Sequence, residues 1–145
     1  MLLKYRLRSE TEVRQRLEKK RYSAAVISKV IDFLKEKKFL DDNIFARAWI
    51  DSRLKRPLGL RRIKLELKLK GVPAEIIASQ TQSIKNSYSE EEAVLEIAKD
   101  KFKKLEGIEL PTAKRRVYAY LLRRGFSPEA VIDAINQLCK QSYTI

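Results

Sequence analysis

Histidine is absent from this 145-residue chain, and cysteine occurs once, at Cys139. Without them no Cys/His zinc site can form and no internal disulfide can close. The commonest general base is missing as well, so a serine or cysteine nucleophile has no histidine to activate it. Neither G-x-x-x-x-G-K-[ST] nor G-x-G-x-x-G occurs, which leaves no visible cradle for a nucleotide. Four glycines and four prolines offer few places to interrupt helices. Only IKLELKLK, residues 63–70, alternates like a strand, and every residue in it except Ile63 is a strong helix former. No apolar run approaches a membrane span, and MLLKY is too short for a signal-peptide core. A single cysteine fits a reducing cytoplasm. The expectation is an all-α cytoplasmic protein that is not an enzyme and needs no cofactor or metal.

What the chain has in excess is positive charge. The net charge is +13, and it is blocked rather than spread. Residues 1–40 carry +7, 41–46 carry −2, 47–70 carry +7, 71–110 carry −3 and 111–145 carry +4. Such a field draws polyanions or an acidic protein surface.

The second feature is repetition. Val13, Leu17, Arg21, Tyr22, Ile27 and Leu34 are matched 50 residues later by Ile63, Leu67, Gly71, Val72, Ile77 and Ile84. A further 54 residues on stand Val117, Leu121, Gly125, Phe126, Val131 and Leu138. Each copy reads as two apolar residues four apart, a break, an apolar residue and a second amphipathic run. A period near 50 marks an array of small helical units, none able to bury its apolar face alone.

Caps and breaks place the helices. Ser9 with Glu12 forms a capping box opening a helix through about Lys20. Ser23 starts the next, on which Val26, Ile27, Val30, Ile31 and Leu34 make a broad buried stripe. Asp41 or Asp42 caps a helix with Phe45 above Trp49, and RPLG at 56–59 stops it. Leu60–Lys70 ends at Gly71, and Pro73 opens a helix to about Lys85. Ser89 begins Glu90–Leu105; Pro111 restarts helix to Arg124, and Ser127-Pro128 begins the last. Eight helices result, with a short ninth at Leu2–Leu7.

The carboxylate pairs at Asp41-Asp42 and Glu90–Glu92 sit where helices start, so capping explains them better than catalysis. The basic clusters remain. Arg47, Arg53, Lys55, Arg56, Arg61, Arg62 and Lys64 crowd the middle repeat, with Lys68 and Lys70 beyond. Lys114, Arg115, Arg116, Arg123 and Arg124 are their counterpart in the third. A helix-turn-helix reader would carry such residues on the second helix of the pair. Here the helices after the break are nearly free of them, although Gln80, Gln82 and Asn86 could read adenine. Backbone phosphates or an acidic protein surface suit this placement better.

At FLDDNIFARAWIDSR (39–53), PLG (57–59), ELKLKGV (66–72) and LLRRGFSPEAV (121–131), the chain resembles the RecX regulatory family of bacteria. Motif order and spacing agree over nearly all of residues 3–138. The resemblance implies tandem three-helix repeats and a partner, the RecA recombinase, bound along the groove of its filament on DNA. It also implies restraint of filament growth, ATP hydrolysis and strand exchange, with ATP belonging to the partner. Direct DNA contact, weak or non-specific, varies within the family. The sequence departs at the front, where only MLLKYRLR precedes Ser9 and Arg21 stands at the expected glycine.

These observations predict three three-helix repeats, at 1–40, 41–87 and 88–145, in an elongated curved array that acts as a monomer. Arg47, Arg53, Lys55, Arg56, Arg61, Arg62 and Lys64 would contact the acidic recombinase surface or DNA phosphates. Lys114, Arg115, Arg116, Arg123 and Arg124 would extend that contact, while Phe45, Trp49, Ile63, Leu67, Val117 and Leu121 form core. A bar laid between successive recombinase subunits would hinder their addition or rotation. Two alternatives stay open: a non-specific DNA-binding helical protein acting without the recombinase, and a helical protein–protein adaptor.

Overall fold

A computed structural model of the chain describes residues 6–142. Among these, every regular element is an α-helix. The order is α1 (Glu10–Lys19), α2 (Ala24–Glu36), α3 (Asp42–Leu54), α4 (Leu60–Leu69), α5 (Ala74–Lys85), α6 (Glu90–Lys104), α7 (Leu110–Arg123) and α8 (Pro128–Ser142). The stretch IKLELKLK is helical, almost all of it within α4. The architecture is an all-α tandem array of three-helix repeats. Of the ninth helix at Leu2–Leu7, residues 1–5 lie outside the described residues, and Arg6 and Leu7 are not helical.

Local chemistry fixes both ends of these helices. Ser9 Oγ accepts from the Glu12 amide at 3.1 Å while the Glu12 carboxylate accepts from the Ser9 amide at 3.1 Å. Ser23, Ser89 and Ser127 each accept from the amide three residues on, at 3.2, 3.3 and 3.3 Å. The breaks repeat as well: Arg21, Gly71 and Gly125 have φ of 64°, 78° and 89°. At each, the break amide donates to the carbonyl three residues back and the next amide to the carbonyl five back, on Leu17, Leu67 and Leu121. This pairing satisfies carbonyls that a helix end otherwise leaves bare. Left-handed backbone strains a residue with a Cβ by about 1–2 kcal/mol. Arg21→Gly should therefore stabilise the protein, by about 0.5–1 kcal/mol once the looser unfolded chain is counted, and raise the urea midpoint. An unchanged midpoint would mean that Arg21 sits there without strain.

The chain divides into two compact units, one running to Ser52 and including Lys64–Ser83, the other holding Arg53–Ile63 and the chain from Ile84 onward. In the first unit Val13 packs with Ile27, Ile31 and Leu40, with Leu17 and Leu34 half-buried beside them. The stripe on α2 is narrower than its sequence suggests. Val26 is 44% exposed and Val30 half-buried, because Ile27, Ile31 and Leu34 already fill an arc of about 60° and Val26 lies beyond it. Phe45 stacks on Trp49 with ring centroids 5.9 Å apart, and Trp49 is half-buried rather than core.

The amino end of α1 is tied down from several sides. Buried Ser9 donates its hydroxyl to the Lys70 carbonyl at 2.6 Å, and Thr11 donates to the Gly71 carbonyl at 3.3 Å. Asp42 Oδ1 accepts from the Glu10 amide at 2.9 Å, while Asp41 Oδ1 accepts from the Asn43 amide at 2.9 Å. The acidic pair thus serves two different helices. Burial pushes the Glu12 carboxyl up, but hydrogen bonds from Arg6 and the Ser9 amide and the charges of Lys70 and Arg6 outweigh it, leaving it below its ordinary 4.5. A lowered folded-state value gives stability that is present above pH 4.5 and lost as pH falls through the folded value. Burial holds Asp42 above its ordinary value, which acts in the opposite sense. Glu12→Gln should therefore be less stable than wild type at pH 7, with the difference shrinking on acidification. A gap that stays constant from pH 7 to 3 would assign Glu12 no such role.

In the second unit α6 packs on both α7 and α8. Val94 and Ala98 meet Val117, Leu121, Phe126, Ala130, Val131, Ala134 and Ile135 in one core. The Ser127 amide donates to Glu90 Oε1 at 3.3 Å, so an acid of the second pair also serves a neighbouring helix.

Candidate cationic interface

Helix α4 shows why its arginines face outward. Leu60, Ile63 and Leu67 recur at helical spacing and are buried, which leaves Arg61, Arg62, Lys64, Leu65, Lys68 and Leu69 exposed. The turn before it is anchored by Leu58, 2% exposed, while Lys55 and Arg56, just ahead of it, remain in solvent. In α7, Ala113, Val117 and Leu121 point inward, with Arg115, Arg116 and Arg123 exposed and Lys114 and Arg124 half-buried.

Tertiary contact within the second unit joins parts of the two basic clusters. The Gly59 amide donates to the Arg124 carbonyl at 2.7 Å, and Arg62 Nη1 lies 3.5 Å from the Arg123 carbonyl. A Cβ at Gly59 would collide with the Gly125 backbone, and one at Gly125 would collide with Arg62. The turn before α4 therefore sits against the carboxyl end of α7, whose bare carbonyls it caps. The contact brings Arg62, with Arg61 beside it, to Arg123 and Arg124, and Arg53, Lys55 and Arg56 precede that turn in the same unit. Lys101 of α6 joins them: its Nζ lies 4.4 Å from the Tyr120 ring centre, and the Arg124 guanidinium 5.2 Å from the same ring. Nothing in the sequence pattern pointed to Lys101, which becomes a neighbour only when α6 packs on α7.

Two features keep this junction positive. No carboxylate stands between Asp51 and Glu66, or between Glu109 and Glu129. The first turns of α4 and α7 hold no acid, although α1, α3, α5, α6 and α8 each have at least one there. In α4 that place is taken by Arg61 and Arg62, whose charges add to the positive end of the helix dipole. Such a placement costs helix stability and attracts anions.

The other sequence candidates lie elsewhere. Arg47 belongs to the first unit, where it pairs with Asp51 at 3.4 Å and donates to Ser83 Oγ at 3.1 Å. Lys64, also in the first unit, lines a shallow groove with Leu65, Lys68, Ala74, Ile77 and Ala78. Lys114, Arg115 and Arg116 precede Arg123 by seven to nine residues, about 10–14 Å along α7. Gln80, a possible base reader, donates to Asn43 Oδ1 at 3.4 Å. Among the described residues no group of His, Cys, Asp or Glu could hold a metal ion, and no helix is long and apolar enough to cross a membrane.

Comparison with known proteins agrees with this architecture. Family models for the first, second and third three-helix domains of RecX match residues 1–34, 41–79 and 89–135. "Regulatory protein RecX" of Clostridium botulinum (strain Eklund 17B / Type B) is 34% identical over 133 residues, covering 90% of this chain and 62% of its own length. The chain thus spans about three fifths of the first such relatives. "Regulatory protein RecX" of Chlorobium phaeobacteroides (strain BS1) is 30% identical over 138 residues, covering 94% of this chain and 88% of its own. The crystal structure of RecX from Lactobacillus salivarius superposes with a TM-score of 0.83 at 21% identity, over 94% of this chain and 89% of that one, a likeness of fold. With all three domains matched in order along an eight-helix chain, this protein belongs to the RecX regulatory family.

Proposed function

We propose that the chain is a non-enzymatic regulator that restrains the RecA recombinase. It docks along the recombinase–DNA filament and hinders filament growth, ATP hydrolysis and strand exchange. It acts as a cytoplasmic monomer, with its repeats dividing at 40/41 and 87/88. The observation that carries this reading is the cationic junction at the start of α4 and the end of α7. Arg61 and Arg62 lie at the amino end of α4 with no acid in its first turn, and Arg123 and Arg124 at the carboxyl end of α7. A filament coated in nucleic-acid phosphates, or an acidic face of the recombinase, is the complementary surface. Arg47 and Lys64 on the first unit, and Lys114, Arg115 and Arg116 along α7, are further contacts in the same reading.

The same charge supports a second reading, in which the chain binds DNA non-specifically and leaves the recombinase alone. The two separate in one assay, recombinase ATP hydrolysis on single-stranded DNA titrated with this protein. The first reading predicts a fall in rate. Unchanged hydrolysis together with DNA binding that weakens steeply with salt would select the second, because counterion release follows phosphate neutralisation.

A further inference from the structure

Helix α4 carries leucines on the side turned away from its core. Leu65 is 56% and Leu69 76% exposed, and their spacing of four puts both on one face. Leu65 also borders the groove between α4 and α5. This groove, about 330 Å³, has Lys64, Leu65 and Lys68 on one wall and Ala74, Ile77 and Ala78 on the other. Its opening has a local cause: Ala74 and Ala78, one turn apart, leave the α5 wall without bulk. The repeat register carries Lys64 and Ala78 to Tyr118 and Ile132, which line a smaller groove of about 250 Å³ between α7 and α8.

Helices α3 and α1 reach this pair from other sides. Gln80 and Ser83, which bond to Asn43 and Arg47 of α3, stand at least about 120° round α5 from Ala74 and Ala78. Ser9 and Thr11 bond to the carbonyls of Lys70 and Gly71 at the end of α4. Lys70 stands about 120° or more round the helix from Lys64, Leu65 and Lys68.

The lining chemistry selects an occupant. Two lysines line the groove and no carboxylate does; Glu66 and Glu75, the acids of these two helices, lie outside the lining. Cations beside an apolar floor complement a segment that carries carboxylates around an apolar side chain. The floor is aliphatic, so it buries such a side chain but offers no ring on which a base could stack. The volume stands at the foot of the range for small-molecule pockets, about 300–1,000 Å³, and suits one bulky side chain of a longer segment.

We propose that the α4–α5 groove docks an acidic segment of a protein partner. A leucine or phenylalanine of that segment enters beside Ala78, and flanking carboxylates meet Lys64 and Lys68. The groove belongs to the first unit and the cationic junction to the second, and the proposal does not depend on the recombinase reading.

The probe is a fluorescein-labelled peptide, EDEELFEDEE, titrated with the full chain and followed by anisotropy. Saturable binding is expected, weaker by about tenfold for Ala78→Phe, which plugs the groove, and for Lys68→Glu, which reverses its rim. The same peptide with alanines in place of leucine and phenylalanine should bind at least about tenfold more weakly, since it reports only what charge attracts. Ala78 and Lys68 are exposed, so circular dichroism of both variants should match wild type, which separates lost docking from lost fold. Absent binding, or equal binding by wild type and Ala78→Phe, would overturn the proposal, as would equal binding of the two peptides. A labelled thymidine oligonucleotide whose binding Ala78→Phe weakens, while peptide binding is unchanged, would instead assign the groove to nucleic acid.

Discussion

Gly125→Val is expected to destabilise the protein by several kcal/mol, against no more than about 0.5 kcal/mol for Arg123→Ala two residues away. Two penalties combine at the glycine. Its φ of 89° is strained for a β-branched residue, at about 1–3 kcal/mol. A Cβ there also falls onto the backbone and Cβ of Arg62, and forcing atoms into a packed contact costs about 1–3 kcal/mol more. Relief would require the turn before α4 to leave the end of α7, breaking the 2.7 Å bond from Gly59 to the Arg124 carbonyl. Arg123 contributes its carbonyl, not its side chain, to the contact with Arg62 Nη1, so truncation to alanine keeps it. Urea midpoints of the two variants measure the difference. Equal midpoints would mean that the junction is loose enough to admit a side chain.

The helices were legible because their determinants are local. Ser9 and Glu12 close a capping box within four residues, and Gly71 and Gly125 end helices through the freedom of one residue. Arg21, which stands at the register position of two glycines, takes the same left-handed conformation as they do. The site was half legible. Which residues are basic and outward-facing follows from composition and from the spacing of Leu60, Ile63 and Leu67. Which of them meet does not, because the contact of Arg62 with Arg123 joins residues 61 apart in sequence. Docking of one turn on another depends on two glycine surfaces, Gly59 against Gly125, and glycine leaves no hydrophobic pattern to read. Val26 failed for a related reason. An apolar residue on an amphipathic helix signals burial only if another element arrives to cover it.

In the proposed function, the junction's charge, rather than its fold, restrains the recombinase. Lys55, Arg56, Arg61 and Arg123 are the residues to reverse, since all four are exposed and belong to the second unit. Changing them to glutamate replaces attraction for a polyanionic filament with repulsion. Leu58, Leu60 and Ile63, which anchor the same segment, are untouched, so helix content should be preserved. Glutamate at position 61 even suits the amino end of α4. A control that reverses three charges, Lys99, Lys103 and Lys104 on α6, outside the junction, should retain most of the effect. The decisive measurement is the rate of ATP hydrolysis by the RecA recombinase on single-stranded DNA, titrated with wild type, junction variant and control at two salt concentrations. The account predicts that wild type and control slow hydrolysis, more so at low salt, and that the junction variant has no effect at any concentration tested. Inhibition by the junction variant at wild-type concentrations would contradict it.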